Sequence, residues 1–83
     1  MAAKPKALVF DTWAIIAYYG DEPEGEQVAQ LIAEANENAT PMWMSVVNAG
    51  GVWYIIARKT SPADADSTIS ELHKLGIQFD NSE

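Results

Sequence analysis

Ala7-Leu8-Val9-Phe10-Asp11-Thr12 is a short apolar run broken abruptly by a carboxylate, and its reading decides the fold. A run this short and this apolar suits a central parallel strand covered on both faces. Asp11 then stands at the strand's carboxyl end, the edge at which open α/β sheets place ligands. Met42-Trp43-Met44-Ser45 gives a second strand of the same kind, and residues 45–58 read as the helix that follows it.

Working outward, the spacing predicts β-α-α-β-α-α-β. Residues 6–10 form the first strand, and residues 12–19 a short helix stopped by Gly20. Pro23 opens a second helix, with Glu22, Glu24 and Glu26 placed to complement its dipole. Val28, Leu31, Ile32 and Ala35 repeat at helical spacing and predict one apolar face; Asn36, Asn38 and Pro41 close the helix. Ser45 is suited to cap the third helix. That helix contains Gly50-Gly51, a pair that costs about 1 kcal/mol per glycine relative to alanine. Gly51 has no packing account. Ser61-Pro62-Ala63-Asp64 supplies a cap, a proline at the first helical position and an acid at the third. Ala65, Ile69 and Leu72 form that fourth helix's stripe, Gly76 ends it, and residues 77–80 give a third strand.

Eighty-three residues hold one domain with a small core. The chain has no cysteine, which removes disulfides and thiolate metal sites. Lys4 and Lys6 precede an apolar stretch of only residues 7–10, too short for a signal-peptide core or a membrane span. The expected location is the cytoplasm, with no membrane association. Twelve acids against five bases give a net charge of −7, a field that repels phosphate backbones. A carboxylate cluster holding Mg²⁺ or Mn²⁺ is itself acidic, so a metal-dependent nuclease stays within these bounds.

The Asp11-Thr12 strand end and the helix of Asn48-Ala49-Gly50-Gly51-Val52 together resemble the PIN-domain family, most closely the VapC-like toxin ribonucleases of toxin–antitoxin pairs. The resemblance implies a Rossmann-like, three-layer α/β fold, here truncated: residues 1–83 form a single PIN-like domain lacking the family's carboxyl-terminal part. The family sheet runs 3-2-1-4-5, so a chain with strands one to three leaves the first strand as a long, apolar edge. The resemblance also implies metal-dependent cleavage of RNA by converging acids. Asp11 matches the first acid and is the candidate catalytic and metal-binding residue, for Mg²⁺ or Mn²⁺. The second acid falls on Gly51, and the third and fourth would lie beyond Glu83. Trp13 stands where the family usually has a small hydroxyl residue, and Gly50 where the family tends to have a glycine, which implies a close-packed position. The expected activity is therefore impaired. The alternative is a non-catalytic module acting as a homodimer or binding an antitoxin, with RNA a partner only where the site is completed.

Each candidate also has a plainer reading. Asp11 suits a helix cap, a task Thr12 is placed to share. Thr12 and Asn48 are accessory candidates, Asn48 offering an amide carbonyl one turn before Gly51. Phe10, Trp13, Tyr18 and Tyr19 are the expected interface, with residues 7–10 pairing across a two-fold. The acidic run from Asp21 to Glu26 lacks the alternation of a calcium loop and reads as helix-start acids. His73 reads as a surface histidine, and Trp43, Trp53 and Tyr54 as core or interface aromatics.

Overall fold

The computed structural model describes residues 7–20 and 22–81; Lys4, Lys6, Asp21 and Glu83 lie outside the described residues. Seven elements follow in the expected order: β1 (Leu8–Phe10), α1 (Thr12–Tyr19), α2 (Pro23–Asn38), β2 (Met42–Ser45), α3 (Val46–Lys59), α4 (Pro62–Lys74) and β3 (Ile77–Asp80). Local chemistry sets their boundaries. The side chains of Asp11, Ser45 and Ser61 accept the backbone N–H of Ala14, Asn48 and Asp64, three residues on in each case. Pro23 and Pro62 occupy first helical positions, where the missing N–H costs nothing. α2 ends at Ala39 in the left-handed region, φ 56°, with Asn36 donating from its side chain to the Leu75 carbonyl.

The strands are parallel and ordered β1-β2-β3, so β1 is an edge, as expected. Leu8 stands opposite Met42 and Met42 opposite Ile77; one pleat on, Phe10, Met44 and Phe79 align. Both crossovers step one strand in the same direction, and right-handed connections then lay both helix pairs on one face. Burial agrees. Phe10, Met42, Met44 and Ile77 meet Ile15 of α1, Val28, Ile32 and Ala35 of α2, Val52 of α3 and Leu72 of α4 in one core. On the opposite face Val9 is 77% exposed, Gln78 is exposed and Trp43 is half-buried.

Three expectations are corrected here. The expected three layers are two among the described residues, because the helices that would cover the second face come, in a doubly wound sheet, from crossovers in the reverse direction. The edge strand is short rather than long, since Asp11 turns the chain into α1. Leu31 is exposed, because Val28, Ile32 and Ala35 centre the α2 stripe and Leu31 falls on its flank. The close approach of α1 to α2 depends on Gly25, a residue the sequence did not flag: a Cβ there would run into the Ala17 carbonyl.

Candidate functional site

The two strand-to-helix junctions are tied together. At the first, Asp11 caps α1, its Oδ1 accepting Ala14 N–H at 2.8 Å. At the second, Ser45 caps α3, its hydroxyl oxygen accepting Asn48 N–H at 3.0 Å. Thr12 bridges them: its N–H donates to Asn48 Oδ1 at 3.2 Å. Its hydroxyl lies 2.8 Å from Asn48 Oδ1 and 3.0 Å from the Asn48 carbonyl, with one proton to serve both. The Asn48 amide oxygen thus accepts the Thr12 N–H and shares the Thr12 hydroxyl proton with the Asn48 carbonyl, so it is already engaged by Thr12.

One turn along α3, Gly51 packs against the same threonine. A Cβ at Gly51 would lie 2.7 Å from Thr12 Oγ1 and 3.2 Å from its Cγ2, too close unless Thr12 moves. A Cβ at Gly50 would meet nothing within 4 Å. The expectation for the pair is thus reversed: Gly51 is the close-packed glycine, and Gly50 faces open space. The reason is helix phase. Asn48 and Gly51 are three residues apart and share the face turned to α1, whereas Gly50 lies about 100° away from Gly51.

Asp11 and Asn48 nevertheless open onto different grooves. Asp11 lines one of about 540 Å³ along α1 with Trp13, Ile16, Glu22, Glu24 and Lys59. Asn48 lines another of about 490 Å³ on the open sheet face, with Val9, Trp43, Ser45, Val47 and Asp80. Among the described residues, no group of three or more His, Asp or Glu side chains is arranged to hold a metal ion. The sequence reading missed Val9, Val47 and Asp80 as site-lining residues. Period-two parity was the signal available, since Asp80 ends β3 opposite Ser45 on the same carboxyl edge as Asp11.

The expected interface residues separate. Phe10 is 4% exposed and belongs to the core, so its side chain is withdrawn from any surface. Trp13 is 70% exposed. Tyr18 and Tyr19 are half-buried and meet edge to face at 4.9 Å, and Tyr19 donates its hydroxyl proton to Glu71 of α4 at 2.7 Å. Burial first, then the hydrogen bond and negative charge of Glu71, hold that hydroxyl well above the usual tyrosine range. His73 is exposed, as expected, with its ring 4.3 Å from that of Phe79. Trp53 donates from Nε1 to Asp66, and exposed Tyr54 receives Arg58. Searches against family models, curated proteins and solved structures return no match to this chain.

Proposed function

We propose that this chain is a VapC-like PIN-domain relative whose ribonuclease site is incomplete and which acts by association rather than by cutting RNA. The observation that carries this reading is the Thr12–Asn48–Gly51 contact. It sets Thr12, beside Asp11 at the strand end, against the helix after the second strand. It also fills, with Thr12, the space into which a carboxylate at position 51 would project.

Magnesium and manganese ions are hard cations that take several oxygen ligands at once. The residues present do not fit such an ion. Asp11 is a single carboxylate already accepting a backbone N–H, and the Asn48 amide oxygen is occupied by Thr12. RNA is a substrate only of a completed site; a second copy of the chain and an antitoxin protein are the partners proposed. No helix among the described residues is long and apolar enough to cross a membrane, and the cytoplasm is the proposed location.

The test is cleavage of a mixed RNA panel in Mg²⁺ and in Mn²⁺ by the full chain and by Asp11→Ala. Both proteins should leave the RNA at the level of the buffer control. Robust turnover abolished by Asp11→Ala would overturn the reading.

A further inference from the structure

We draw no further inference here: the strongest candidate, the groove along α1 that exposed Trp13 lines together with Asp11, Glu22 and Glu24, carries nothing, because a cluster of carboxylates beside one indole names no ligand and nothing in the structure shows what covers it.

Discussion

Neighbouring residues of this chain have opposite fates on the two sides of one sheet. Met44 is fully buried between sheet and helices, while Trp43 beside it lines the open groove. Phe10 and Val9 divide the same way, and on α3 Gly51 is packed against Thr12 while Gly50 faces open space. The contrast teaches that burial here is one-sided. The strands carry enough apolar residues for two covered faces, the pattern of a parallel sheet wrapped by helices, yet the helices cover one. The surplus, Val9 and Trp43 above all, lies outside and gives the molecule its open groove.

The largest expected effect tests the inward side. Met44→Ala should cost about 2–5 kcal/mol, the range for truncating a buried Leu, Ile or Met side chain. Gln78→Ala, exposed on the opposite face, should stay within about 0.5 kcal/mol of wild type. Urea denaturation of both at fixed protein concentration is the measurement. Similar losses would mean that the open face is covered in solution and would break the contrast between the two sides.

Gly51→Glu is next. Glutamate regains about 1 kcal/mol of helix propensity. Its Cβ, however, displaces Thr12, losing hydrogen bonds of about 1 kcal/mol each and straining a packed contact at about 1–3 kcal/mol. The net expectation is a loss of roughly 2–4 kcal/mol on those same scales. Combining it with Thr12→Ala should recover part of that loss, the signature of coupled neighbours in a double-mutant cycle. Mn²⁺ titrated calorimetrically should bind the double variant more tightly than wild type. Identical weak binding would show that carboxylates at positions 11 and 51 do not converge.

The element order was legible because each boundary has a chemical marker within a few residues: Asp11, Ser45 and Ser61 at caps, Pro23 and Pro62 at first turns, and Gly20 and Gly76 at ends. The β1 edge was legible from strand order. The single covered face was not, since an apolar run gives the same signal whether a strand is buried on two faces or presents one to solvent. Thr12 and Asn48 were legible as accessory candidates, but not as each other's partners. Their bonds cross 36 positions of sequence and depend on how α1 sits on α3. For the same reason helix propensity treated Gly50 and Gly51 alike, and tertiary packing alone distinguishes them.

Gly50→Ala therefore isolates propensity from packing. Nothing lies within 4 Å of the added methyl, so the substitution should stabilise the fold by about 0.5–1 kcal/mol. Gly51→Ala, which adds the same methyl against Thr12, should fall below it in thermal midpoint. Equal gains would show that Thr12 rotates away at no cost and that the junction contact is loose.

The smallest effect belongs to Tyr19, a residue of neither side, half-buried where α1 meets α4. Burial, and then the Glu71 carboxylate that accepts its proton at 2.7 Å, favour the neutral phenol and raise its pKa above the ordinary value. In the unfolded chain the phenol ionises near pH 10, while the folded chain holds its proton to higher pH. Below about pH 10 both states are protonated and the full contribution to stability is present. As pH rises further, the unfolded state binds fewer protons than the folded state, so stability must decline. Tyr19→Phe has no proton to release at this position. Its thermal midpoint at pH 8 should lie slightly below that of wild type, reflecting one half-exposed hydrogen bond, and the gap should close as pH rises past 10. A gap that stays constant through that range would mean that the Tyr19–Glu71 bond does not hold the phenol neutral in the folded chain. The seam between α1 and α4 would then be apolar packing alone.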